Sequence, residues 1–148
     1  MSRTVSERIE DELAIRNLVA RYTHAIAERD FDAWAACWAD DGEWHVLGQT
    51  VRGRAEVLAR YRALTGPTRF VMQVASDGAI ELDGDSATGR WQITESIQTQ
   101  DGRAALNLGR YLDRYQRGAD GAWRFARREF QTRYLGPPDL TGAPLPKT

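Results

Sequence analysis

One carboxylate interrupts an otherwise apolar row. Between Ala87 and Ile97 alternate positions read Ala87, Gly89, Trp91, Ile93, Glu95, Ile97, against Thr88, Arg90, Gln92, Thr94, Ser96. Such period-two alternation marks a half-buried strand. A strand cannot turn one side chain over without flipping its whole row, so Glu95 must face the apolar side. Two chemistries follow. Without a charged partner, burial can raise a carboxyl pKa by up to ~3–5 units and poise it as a general base or acid. With an arginine across the sheet, it is an inert ion pair. Tyr22 is the second such residue. It falls in a helical apolar stripe, and a buried phenol needs a hydrogen-bond partner. Asn107 on a later strand adds a polar contact.

The remaining reactive side chains offer less. His24 lies two residues from Tyr22, about 200° around a helix, and is expected to face solvent or a partner subunit. His45 alternates with Trp44 and takes the opposite face from it. No histidine, cysteine or carboxylate has the spacing of a metal site, so no metal is expected. Cys37, the single cysteine, reads as a buried, unactivated thiol and excludes an internal disulfide.

These residues need a frame. Thr4-Val5-Ser6-Glu7 has capping-box spacing, and Ile9, Leu13, Ile15, Leu18, Val19, Tyr22 and Ile26 recur at threes and fours. The spacing predicts a helix ending near Glu28. Asp30 caps a second, short helix through Trp38, broken by Asp40-Asp41-Gly42. Glu43 to Leu47 reads as a strand, Gly48-Gln49-Thr50 as a turn, and Arg54 to Leu64 as a third helix stopped by Gly66-Pro67. Then come long strands. Phe70 to Leu82 turns at Asp83-Gly84-Asp85 into Ala87 to Ile97, because Asp-Gly tolerates the positive φ of a tight hairpin. Asp101-Gly102 leads into Ala104 to Arg117, and Gly118 to Gly121 into Ala122 to Tyr134. The expected fold is α+β, a strongly curved antiparallel meander cupping three N-terminal helices around a conical pocket. Residues 1–135 form one domain, and 136–148 a Pro-rich arm.

Composition sets the outer bounds. A chain of 148 residues, 42% hydrophobic and 28% charged, is ordinary for one globular domain. A net charge of -1 argues against general nucleic-acid binding. Nineteen of its 20 basic residues are arginine; base composition of the genome accounts for that more simply than phosphate recognition. Neither a signal peptide nor an apolar run of membrane length is visible, so no membrane association and a cytoplasmic location are expected.

Several blocks together resemble the SnoaL-like branch of the NTF2-like superfamily. They are Arg21-Tyr22, Asp30-Phe31-Asp32-Ala33-Trp34 and Ala39-Asp40-Asp41-Gly42-Glu43-Trp44, then Gly53-Arg54 and Leu82 to Trp91. Gly109-x-Tyr111-x-Asp113-x-Tyr115-x-Arg117 and Asp120 to Phe125 complete the set. The resemblance covers about Glu12 to Tyr134. It implies the cone fold and the chemistry of scytalone and bile-acid dehydratases, a hexachlorocyclohexane dehydrochlorinase, polyketide cyclases and steroid isomerases. That chemistry is proton abstraction beside an activated carbon, followed by elimination, isomerisation or cyclisation.

The family's His–Asp base falls on Gln73 and Ala27, which cannot accept a proton at neutral pH. Tyr22 matches a pocket tyrosine, Glu95 a pocket acid and Arg128 a pocket arginine, although an arginine there is also a common salt-bridged strand residue. The resemblance assigns catalysis to Tyr22 and Glu95. Gln73 and Arg128 would orient the polar end, and Trp44 and Trp91 would wall the pocket, while Trp34, Trp38 and Trp123 belong to the core. It implies a cofactor-independent lyase or isomerase acting on a small, mostly apolar carbonyl- or hydroxyl-bearing metabolite. The lost dyad favours the alternative of a non-catalytic ligand-binding or scaffold module. A homodimer or homotrimer is expected, with the arm closing a pocket mouth.

Overall fold

The computed structural model describes residues 2–147; Met1 and Thr148, the outer ends of the expected lead and arm, lie outside the described residues. Helix α1 (Val5–Glu28) begins as its capping box dictates. The Glu7 amide donates to the Thr4 hydroxyl at 3.2 Å, and the Thr4 amide donates to the Glu7 carboxylate at 2.7 Å. It ends where Arg29 turns left-handed at φ 55°. Ile15, Leu18, Val19, Tyr22, Ala25 and Ile26 bury one side. Ile9 and Leu13, expected in that stripe, are more than half exposed, because at 3.6 residues per turn they fall on the opposite side of the helix from Ile15, Leu18 and Tyr22, and Asp11 between them is buried instead.

Helix α2 (Phe31–Ala36) is capped by Asp30, whose carboxylate accepts from the Ala33 amide at 2.9 Å. It stops two residues short of the expected Trp38, which opens strand β1 (Trp38–Val46). Asp40-Asp41-Gly42 thus lies inside a strand, at a shift of register between Trp38 and Glu43. Leu47 and Gly48, both at positive φ, make a two-residue hairpin turn into β2 (Gln49–Arg52), so Gln49 and Thr50 of the expected turn belong to a strand. Helix α3 (Arg54–Thr65) follows and buries Val57, Tyr61 and Thr65. So a β-hairpin separates the third helix from the other two.

The meander then runs through β3 (Thr68–Asp83), β4 (Ser86–Thr99), β5 (Ala104–Arg117) and β6 (Trp123–Gly136). The curved six-stranded sheet has the order β2-β1-β6-β5-β4-β3 and does not close. All neighbours are antiparallel except β1 and β6, which run parallel. Register slips twice in β3, between Thr68 and Phe70 and between Ser76 and Ala79. At the second slip Asp77 has φ 53° and Gly78 lies flat under Trp91; an added Cβ would stand 2.3 Å from the indole.

The concave face and the helices share an aromatic core. Trp34 stacks on Tyr61 with ring centroids 4.0 Å apart, and Tyr22 packs edge-on against Trp38 and Phe125. Each fully buried ring contributes on the order of 2–3 kcal/mol. Beyond β6 the chain turns back over Tyr134, whose hydroxyl donates to the Pro137 carbonyl at 2.6 Å and accepts from the Gly142 amide at 3.1 Å.

Candidate functional site

Sheet register builds the site. Gln73 on β3, Glu95 on β4, Asn107 on β5 and Leu135 on β6 are successive Cα partners. One transverse row therefore delivers three polar side chains to the concave face. They line a cavity of about 150 Å³ together with Tyr22 and Ile26 of α1, Trp44 of β1, Tyr61 and Leu64 of α3, and Tyr111 and Phe130. Leu47 and Leu135, about half exposed, rim its mouth. A larger, open cleft of about 920 Å³ lies at the far end of the sheet. Its wall carries exposed acids and a Glu43 already paired with Arg52 and Arg127, so the smaller cavity is the better site.

Glu95 is held by neutral groups. Its carboxylate accepts from Gln73 Nε2 at 2.8 Å and from Asn107 Nδ2 at 3.3 Å. Among the described residues it forms no ion pair. The cross-sheet arginine that would have made it inert is not there. Burial pushes its pKa above the ordinary carboxylate range, and the two amides pull only part of the way back. Because both amides spend their N–H groups on the carboxylate, Gln73 Oε1 and Asn107 Oδ1 are left buried without a partner.

The phenols stand on the same cavity wall. The Tyr22 and Tyr111 hydroxyls are 3.1 Å apart, and either can donate to the other. Burial raises both pKa values, so both remain protonated at neutral pH. Whichever phenol accepts has a proton left to give to a ligand oxygen. Behind them Arg128, fully buried, lies 3.7 Å from the Tyr111 ring centroid and 4.4 Å from that of Tyr22. Its fork meets Asp113, Nε to Oδ1 at 2.8 Å and Nη2 to Oδ2 at 3.0 Å. Tyr115 donates to the same carboxylate and accepts from the Trp91 indole at 2.9 Å.

Two expected pocket residues therefore stand elsewhere. Arg128 is cut off from the cavity by Tyr22 and Tyr111 and is neutralised by Asp113. Trp91 lies on the same concave row as Glu95 but four residues along it, over Gly78 and bonded to Tyr115, outside the cavity lining. Tyr22, Glu95, Gln73, Trp44 and Asn107 do line it. His24 is exposed, and His45 Nδ1 lies 2.7 Å from the Thr50 hydroxyl on the other face from Trp44. Cys37 is buried, its pKa pushed up to about 11 by desolvation. Ala27 is exposed and takes no part in the lining. Tyr111 was not anticipated as a site residue, although its inward row on β5 carries the two polar residues Asn107 and Asp113. Among the described residues no group of three or more His, Cys, Asp or Glu side chains is arranged to hold a metal ion. No described helix is long and apolar enough to cross a membrane.

The model of the SnoaL-like domain matches residues 7–129. The chain belongs to this family, and with it to the NTF2-like superfamily. A solved structure of a Mycobacterium tuberculosis protein of unknown function is 32% identical, covering 82% of this chain and 76% of that one with a TM-score of 0.74. Two others share the fold at lower identity. A hexachlorocyclohexane dehydrochlorinase, LinA type 2, is 21% identical over 97% of this chain and 98% of its own, TM-score 0.84. A Novosphingobium aromaticivorans protein proposed to be a scytalone dehydratase is 19% identical over 95% and 99%, TM-score 0.82. Comparison with curated proteins returned no match.

Proposed function

We propose that this SnoaL-like protein is a cofactor-independent lyase or isomerase that moves a proton with Glu95 on a small, mostly apolar carbonyl- or hydroxyl-bearing molecule. One observation carries this reading: a buried carboxyl, held by two neutral amides and paired with no cation among the described residues, faces a cavity that also presents a phenol pair. Gln73, which occupies the family's histidine position, is the direct cross-strand neighbour of Glu95. The base has moved one strand over. In the reaction, the Glu95 carboxylate takes the proton on the carbon beside the carbonyl. The developing enolate oxygen accepts from the Tyr22–Tyr111 pair. The protonated carboxyl then returns its proton to carbon, giving an isomer, or to a departing hydroxyl, which leaves as water. An oxyanion donor of this kind supplies roughly 3–4 kcal/mol.

The test is exchange of α-protons of cyclohexanone into deuterated water, followed by NMR. Wild type is expected to catalyse exchange and Glu95→Gln to lose it; retained exchange in both Glu95→Gln and Tyr22→Phe rejects these roles. The second reading, a ligand-binding module without chemistry, is favoured by the exposed Ala27 and by the amides tying Glu95 down. It predicts binding with no exchange at all.

We also infer a homodimer or homotrimer in the cytoplasm. The outward row Phe70, Met72 and Val74 on edge strand β3 is about half exposed and supports an interface between copies. The arm supports a role beside the mouth: the Leu145 amide donates to the Arg133 carbonyl at 2.7 Å, and its side chain shares a shallow cleft with Leu47 and Leu135.

A further inference from the structure

The size and the unmet polar groups of the cavity define its ligand more narrowly than the reaction does. We propose that the cavity takes a single-ring molecule carrying one hydroxyl or N–H donor, seated with that donor against the carbonyl oxygen of Asn107, the more loosely held of the two amides. This rests on the cavity being the functional site.

Size comes first. A volume of about 150 Å³ is that of a hydrocarbon-lined void that holds one benzene. The walls are rings and branched aliphatic chains, with Trp44, Tyr61 and Phe130 as broad flat surfaces. A second fused ring would have to push a wall back or stand out past Leu47 and Leu135. A four-ring body does not fit.

Polarity comes second. Gln73 is 6% and Asn107 9% exposed, yet the carbonyl oxygen of each has no partner among the described residues. Stranding a buried acceptor costs about 1–3 kcal/mol. The orientation that strands them follows from Glu95, which as a carboxylate can only accept and so draws both amide N–H₂ groups to itself. The row therefore holds an unmet acceptor on each side of an acid, turned away from the cavity until a ligand donor draws one of them round. Its complement is a donor, an O–H or N–H on the ring. A carbonyl would meet lone pairs there. The phenol pair, which has a proton to give, is the place for a ligand oxygen that only accepts. A hydroxylated cyclic ketone, hydroxyl toward the amides and carbonyl toward the phenols, satisfies both ends.

Calorimetric titration with phenol, toluene and 2-naphthol separates the claims, since phenol and toluene differ in the donor and 2-naphthol adds a ring. Phenol is expected to bind about tenfold or more tighter than toluene. In wild type 2-naphthol should bind more weakly than phenol. Leu64→Ala, which removes one wall, should bring 2-naphthol to at least parity, and Asn107→Leu should erase most of the preference for phenol over toluene. Equal affinity for phenol and toluene overturns the donor assignment. Tighter binding of 2-naphthol by wild type overturns the size assignment. No heat from phenol at about 10 mM overturns the ligand class altogether. Proton exchange on cyclohexanone, and on the two-ring ketone 2-tetralone, is measured alongside. Phenol binding without any exchange leaves the ligand class standing and removes the catalytic role. Exchange of 2-tetralone by a protein that ignores phenol does the reverse.

Discussion

At Glu95 the carboxyl is destabilised as an anion by the same burial that makes it useful. Its folded pKa lies above its unfolded value. Hence the folded state holds the proton more tightly, and stability falls as pH rises from the ordinary carboxylate range through the raised value, then levels off. The loss is about 1.4 kcal/mol for each tenfold difference in proton affinity. Glu95→Gln removes this dependence, because an amide does not titrate, and the new side chain can still hydrogen-bond Gln73 or Asn107 after a flip. Denaturant melts across pH 4–8 should show the variant gaining on wild type toward neutral pH, roughly over the window set by ordinary carboxylate titration. Turnover by wild type should instead rise with pH through the raised value, since only the carboxylate accepts a proton. Tyr22→Phe leaves Tyr111 as sole donor, and kcat should fall about 10²-fold. The anomaly at Glu95 was readable from alternation alone. The amides that hold it were not, because register between strands decides which polar residues meet, and no local pattern states the register.

Among the elements, the β4–β5–β6 layer carries the deepest charges. Arg128 and Asp113 are both inaccessible and bonded through two parallel hydrogen bonds. Removing one partner strands the other in an apolar surround, which costs about 3–5 kcal/mol. Arg128→Met should lower stability by that amount in urea melts, more than Tyr22→Phe does, and should loosen the phenol pair that rests on the guanidinium. Resemblance suggested a substrate contact for Arg128; the inward alternation of Asp113 on the neighbouring strand was the available hint that it is paired instead. Leu47 tests the hairpin between β1 and β2. It is a branched residue held at φ 50°, a conformation costing about 1 kcal/mol or more. Leu47→Gly should raise the melting temperature while opening the cavity mouth, a gain in stability measurable by thermal melts without ligand. That hairpin was missed because Gly48-Gln49-Thr50 reads locally as a turn, whereas β2 exists only by pairing with β1.

For the whole molecule, the exposed row on β3 makes a prediction about assembly. Met72→Glu places a charge amid Phe70 and Val74, and should convert an assembled wild type to monomer in sedimentation velocity without changing the fold by circular dichroism. The α+β architecture and the four-strand meander followed from turn chemistry and alternation, since each hairpin is local in the chain. The parallel pairing of β1 with β6 left no local trace. It joins Trp44 to Arg128 as Cα partners across most of the sequence.

That pairing has a consequence for how the chain is made. The strand beside β1 is made after all the other strands of this sheet, and it brings Phe125 and Phe130 into the same buried cluster as the tryptophans of the first half. A nascent chain still missing this stretch holds Trp38 and Trp44 with one side uncovered, however well its helices have formed. Contacts so distant in sequence are slow to form. The growing polypeptide therefore carries a hydrophobic half-core that waits for its lid, and aggregation during translation, rather than loss of the finished fold, becomes the hazard that substitutions in β6 would aggravate.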